Sequence, residues 1–96
     1  MSNRPEYEGH VEVKVRTPGG ITHDFRFAEE EFVASAMAQA VSYFVEHNQL
    51  APGDYALAVV RDGRVEPLLD TARVGDYHLT AGAELHLVNE APQVDG

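Results

Sequence analysis

The sequence has no cysteine, no tryptophan and no long apolar run. Without cysteine it cannot form a disulfide framework, a thiol nucleophile or a cysteine-ligated zinc or iron–sulfur site. No stretch approaches the roughly 20 apolar residues that a membrane-spanning helix needs, and the polar first residues contain no signal-peptide core. We therefore expect a cytoplasmic protein that does not bind membranes.

Basic residues are also scarce, because seven Lys and Arg stand against sixteen Asp and Glu, for a formal net charge of −9. A chain of this charge repels phosphate backbones, which argues against nucleic acid as a partner and favours basic protein surfaces. The 96 residues are enough for one domain with one core.

The N-terminal third has the pattern of a β-hairpin. Apolar and polar residues alternate over residues 10–16 and again over 21–27, as in strands with one buried face. Between them, residues 17–20 include Pro18 and two glycines, a composition typical of a turn. In the second strand the alternation predicts that His23 faces inward and is partly buried.

The middle of the chain is predicted to form one helix. Glu29, Glu30 and Glu31 are expected to open it, since carboxylates favour the positive end of the helix dipole. His47 and Asn48 are expected to close it, because Asn tolerates a left-handed cap. The apolar residues recur every three or four positions, which predicts one buried stripe: Val33, Ala36, Met37, Ala40, Val41 and Phe44.

The rest of the domain is predicted to be three strands, over residues 55–61, 64–68 and 84–88. The first two are joined by Asp62-Gly63, a strong two-residue hairpin signal, and residues 70–80 are irregular with one helical turn. The helix must cover one face of the sheet, and the short last strand fits best in the centre, parallel to the first. This gives an α+β fold (ββαββ) over residues 10–89, with flexible segments at 1–9 and 90–96.

We predict a core made of the inward strand residues and the helix stripe: Val13, Val15, Phe25, Phe27, Val33, Met37, Ala40, Phe44, Leu57, Val59, Leu69, Leu79, Leu85 and Leu87.

The C-terminal part of the domain resembles ubiquitin. Asp76-Tyr77, followed by Leu85-His86-Leu87-Val88, has the residues and spacing of ubiquitin, and the order of elements is similar over most of the chain. The resemblance implies a ubiquitin-like β-grasp fold with a mixed sheet of about five strands. It also implies that Tyr77 is largely buried, and its hydroxyl should then bond nearby backbone because a buried phenol needs a partner. Because this fold serves several functions, it implies less about activity.

The resemblance also implies sites. Val60, His86 and Val88 match ubiquitin's protein-binding patch, although Pro18 replaces the apolar residue of its first turn. Gly96 would be the activated C-terminus, in an acidic tail with a single glycine. Lys14, the one lysine, would be the possible acceptor for a lysine-linked chain.

The implied function is a prokaryotic ubiquitin-like modifier without enzymatic activity or a cofactor of its own. Its partners would be activating and conjugating enzymes, a deconjugating peptidase and target proteins. The alternatives are a non-covalent or self-assembling interaction module, such as a secretion-system accessory protein or a homo-oligomer, and a sulfur carrier. None of the five His is paired at metal-ligand spacing on one element, so we expect no metal site.

Overall fold

The computed structural model describes residues 9–89 as a five-stranded sheet with one α-helix across one face. Residues 1–8 and 90–96 lie outside the described part of the chain, and with them most of the two segments predicted to be flexible. The elements are β1 (His10–Arg16), β2 (Thr22–Ala28), α1 (Val33–Glu46), β3 (Tyr55–Arg61), β4 (Arg64–Pro67), a 3₁₀ turn (Val74–Tyr77) and β5 (Ala83–Asn89).

The strand order is β2-β1-β5-β3-β4, which puts the last strand in the centre of the sheet. β5 pairs parallel with β1 and antiparallel with β3, and the other neighbouring strands are antiparallel. Central placement satisfies the backbone groups of β5 on both sides and leaves β2 and β4 at the edges. The predicted position and direction of the last strand are confirmed.

Side chains between the sheet and α1 form one core, and most of the predicted core residues belong to it. Phe25, Met37 and Leu79 are only half-buried and pack against its margin. Leu69 was wrongly predicted: it is 66% exposed, whereas the neighbouring Leu68 is 6% exposed. The cause is that β4 ends at Pro67, after which the Leu68 amide donates to the Leu57 carbonyl and the chain turns.

The predicted start of the helix is also wrong, because α1 begins at Val33 and its first turn contains no acidic residue. The amides of Val33 and Ala34 donate to the carbonyls of Ala72 and Asp70, at 2.8 and 3.2 Å. Backbone carbonyls of the chain after β4 therefore cap the helix, in place of the acidic side chains that were predicted at its start. Glu31 instead accepts hydrogen bonds from the Ala28 amide and the Gln39 side chain.

The helix ends as predicted, with Glu46 as its last residue and Asn48 at a positive φ of 58°. His23 lies on the helix side of β2 but is exposed, so its predicted burial is wrong. Its ring stacks on the Tyr43 ring with a centroid distance of 4.1 Å. His23 stays in contact with solvent, although it faces inward, because it lies on an edge strand beside the end of α1.

Tyr77 lies in the 3₁₀ turn and is half-buried, less than we expected. Its hydroxyl accepts a hydrogen bond from the Leu69 amide at 2.8 Å, so the predicted bond to nearby backbone is confirmed. The Arg61 guanidinium donates to the Tyr77 carbonyl. Together these bonds attach the irregular segment to β3 and to the chain after β4.

Candidate protein-binding surface

The face of the sheet opposite α1 presents the second set of alternating side chains. In β5, Leu85 and Leu87 point to the core and are each 1% exposed, while His86 and Val88 point to the other side. The period of two in a strand makes this division unavoidable once one set is buried. We call the side of the sheet opposite α1 the outer face.

The strand register brings the predicted patch residues to the same part of the outer face. Val88 is paired with Ala56, His86 with Ala58, and Val60 with Val65. Val60 and His86 are half-buried, and Val88 is 38% exposed. Val60 and Val88 thus lie on opposite sides of the Ala58–His86 pair, so the three predicted residues form a diagonal across β3 and β5.

Four further residues extend this area, and the sequence reasoning did not include them. Val65 is 58% exposed, and Pro67 lies beside Ala58, which is 2% exposed although it belongs to the outer face. The two-residue turn at Asp62-Gly63 fixes the pairing of β3 with β4, so the sequence carried the signal that places Val65 opposite Val60. We define the outer patch as Ala56, Ala58, Val60, Val65, Pro67, His86 and Val88.

The other half of the outer face, on β1 and β2, is charged. Its charged residues are Glu12, Lys14, Arg16, Asp24 and Arg26. Lys14 is exposed and is paired in register with Asp24 on one side and Glu84 on the other. The one lysine of the protein thus lies on the same face as the outer patch, in mixed charged surroundings.

Glu84 and His86 mark the boundary between the two halves. The Glu84 carboxylate bonds the His86 ring at 2.7 Å and lies 3.9 Å from the Arg16 guanidinium. The hydrogen bond from His86 is the main cause that lowers the pKa of Glu84, with smaller contributions from the nearby positive charges, while desolvation opposes them. The contact holds the imidazole at the border of the outer patch.

The remaining predicted site residues are not part of this grouping. Pro18 is exposed in the turn between β1 and β2, and Gly96 lies outside the described residues. Within residues 9–89, no group of three His, Asp or Glu side chains is arranged to hold a metal ion. In the same range, no helix is long and apolar enough to cross a membrane.

Comparison with known proteins finds no match by sequence but several matches by structure. No family model and no curated protein matches the sequence. Among solved structures, the Caldiarchaeum subterraneum ubiquitin matches with a TM-score of 0.63 at 20% identity, covering 88% of this chain and 98% of that one.

Two further structures give the same result. A structure of Trypanosoma brucei tubulin-binding cofactor B matches with a TM-score of 0.68 at 14% identity, covering 88% of this chain and 100% of that one. The ubiquitin-like domain of an Arabidopsis thaliana protein matches with a TM-score of 0.59 at 15% identity, over 100% of both chains. With this topology and these neighbours, the chain has the ubiquitin-like β-grasp fold.

Proposed function

We propose that this chain is a ubiquitin-like protein modifier, recognised by other proteins through the outer patch and attached to targets through Gly96. The observation that carries the recognition step is the grouping of Val60, His86 and Val88 on the sheet face that no element within residues 9–89 covers. On that basis the chain binds proteins and catalyses no reaction itself. It acts in the cytoplasm, where ATP is available to its activating enzyme.

The outer patch has the composition of a binding anchor. Its centre is apolar and lacks charge, which lowers the cost of removing water when a partner covers it. His86 adds one polar group at the border, already oriented by Glu84. A partner that covers Val60, Val65 and Val88 and meets the neighbouring charges with its rim would use both halves of the face.

Attachment requires a sequence of acyl transfers at the C-terminus. The Gly96 carboxylate attacks the α-phosphorus of ATP, which forms an acyl adenylate and releases pyrophosphate. An enzyme thiolate then displaces AMP to form a thioester, and a target amine, losing a proton, displaces the thiolate to form an amide. Glycine suits the reacting position because it has no side chain beside the carbonyl.

Lys14 is the acceptor we propose for chains of this protein, since it is the one lysine and it is exposed. Asp24 and Glu84 lie beside it in register. A conjugating enzyme would therefore need basic or polar groups near this site.

The recognition step is tested with the double variant Val60→Asp/Val88→Asp. It should lose binding to partner proteins or to a second copy while its denaturation curve stays close to wild type. The matched control is Ile21→Asp/Leu69→Asp, which makes the same charge change at residues 38% and 66% exposed outside the outer patch. Equal binding by both variants and the wild type would exclude the outer patch.

The attachment step is tested by deleting Gly96. With ATP and the cognate activating enzyme, intact mass should show a thioester for the full chain and none for the deletion, while both fold equally. Lys14→Arg should remove lysine-linked chains of this protein and leave attachment to targets unchanged. Adducts that form without Gly96 would remove it from the mechanism.

A non-covalent interaction module is the second candidate. The observation in its favour is that the outer patch lies wholly within residues 9–89, so recognition does not need the C-terminal segment. In that case the Val60→Asp/Val88→Asp variant would lose its partners, while verified active conjugating enzymes would give no adduct with the full chain.

A further inference from the structure

A groove runs along the side of α1 that faces the loop before β3. Met37, Val41 and Val45 form one ridge of the helix along it and are half-buried. Pro52 and Tyr55 form the opposite wall, and the groove has a volume of about 760 Å³. It lies on the helix side of the molecule, away from the outer patch.

The rim of this groove is acidic. Glu46, Asp54 and Asp70 line it, and no Lys, Arg or His among residues 9–89 does. None of the three carboxylates forms an ion pair with another residue in the range 9–89. The end of α1 adds the negative pole of the helix dipole, with no basic residue in its last turn. The groove therefore attracts cations around an apolar centre.

The carboxylates are spaced along the helix. The Asp70 carbonyl accepts a hydrogen bond from the Ala34 amide at 3.2 Å, which fixes Asp70 near the first turn of α1. Glu46 is the last helical residue, twelve residues after Ala34, or roughly 18 Å at 1.5 Å per residue. The apolar ridge lies between the two acidic ends.

Strand addition has little to build on at this groove. Tyr55, the β3 residue that lines it, pairs with Asn89 of β5, and β4 pairs with β3 only over residues 58–61, so the unpaired edge is limited to the first residues of β3. An extended ligand would gain few backbone hydrogen bonds there, which favours a ligand that satisfies its own. A helix meets this condition, and about 12 residues of helix span the distance between the acidic ends.

We propose that this groove binds an amphipathic helix of a partner protein, with apolar residues on one face and Lys or Arg near both ends. A second copy of this chain is a poor occupant because each copy has a net charge of −9. Residues 1–8 of the same chain are also unsuitable, since they contain Arg4 against Glu6 and Glu8. Charge complementarity therefore selects a basic partner segment.

The probe is a synthetic helical peptide of about 15 residues, made of Leu, Ala and Lys, with Leu at i, i+4 and i+8 and Lys at both ends. Its counterpart has Glu in place of each Lys. Binding to the full chain is measured by fluorescence anisotropy and mapped by amide chemical shifts. The Lys peptide should bind and shift amides of residues 37–46 and 52–55, and the Glu peptide should not bind.

The specificity of the site is tested by charge-matched variants. Asp54→Asn/Asp70→Asn removes two carboxylates of the groove, and Glu12→Gln/Asp24→Asn removes two exposed carboxylates of the outer face. If each charge contact contributes 0.2–1 kcal/mol, the groove variant should bind the Lys peptide roughly 2- to 30-fold more weakly. The outer-face variant should bind it like the wild type, apart from a small general effect of net charge.

Three results would overturn the proposal: no binding at about 1 mM peptide, shifts confined to the outer face, or an equal loss in both double variants. Val60→Asp/Val88→Asp should leave peptide binding intact. Failure of the outer-patch proposal and failure of this one are therefore distinguishable.

Discussion

The two faces of the sheet differ although the same strands build them. On the inner face, Leu85 and Leu87 are each 1% exposed beneath α1. On the outer face, Val88 on the same strand is 38% exposed and no described element covers it. Alternate residues of β5 therefore contribute to the core on one side and, in the function we propose, to recognition on the other, so substitutions one position apart should have different consequences.

The largest effect is expected on the inner face. Leu85→Ala should lower the free energy of unfolding by about 2–5 kcal/mol, because it removes buried apolar volume from a site that the sheet and helix enclose. Urea denaturation measures the change. Val65→Ala is the outer-face control, at a residue 58% exposed, and should cost less than about 0.5 kcal/mol. Similar losses in the free energy of unfolding of both variants would contradict the proposed difference between the two faces.

A smaller effect is expected at the margin of the inner face, where Tyr77 attaches the irregular segment. Tyr77→Phe should cost about 0.5–1.5 kcal/mol because the Leu69 amide loses its acceptor, with solvent access favouring the lower end. The matched control is Tyr43→Phe, whose hydroxyl bonds no residue in the range 9–89. If thermal or urea denaturation gives the two variants the same stability, the Tyr77 hydroxyl does not hold the segment.

The smallest effect concerns the boundary within the outer face. His86→Ala should raise the pKa of Glu84 toward its ordinary value, since the hydrogen bond from His86 is the main cause that lowers it. Arg16→Gln should raise it less. Side-chain carboxyl NMR titration gives both values, and a larger rise in the Arg16 variant would reverse the assignment of causes.

The sign of the linked stability follows from the lowered pKa of Glu84. The stabilising contribution is fully present above the pKa of the unfolded state and is lost as the pH falls through the lower folded value. His86→Ala should therefore reduce the dependence of stability on pH in this acidic window. Near neutral pH the carboxylate stays ionised in both proteins.

The sequence predicted most of the fold because its signals were local. Alternation over β1 and β2, the Asp62-Gly63 turn and the spacing of apolar residues in α1 each depend on near neighbours. The start of α1 was missed because the amides of Val33 and Ala34 are capped by carbonyls of residues 70 and 72, far along the chain. Leu69 was misplaced because the end of β4 depends on its pairing with β3.

By itself, the sequence determined the element order, the buried faces of β1, β3 and β5 and the candidate residues Val60, His86 and Val88. Tertiary structure alone decided that Val60 and Val65 share a face with His86 and Val88, that Lys14 lies between Asp24 and Glu84, and that Asp54 joins Asp70 and Glu46 around one groove. The physical reason is range: alternation and turns act over a few residues, whereas a surface is assembled from strands and loops that meet only when the sheet pairs and the helix packs.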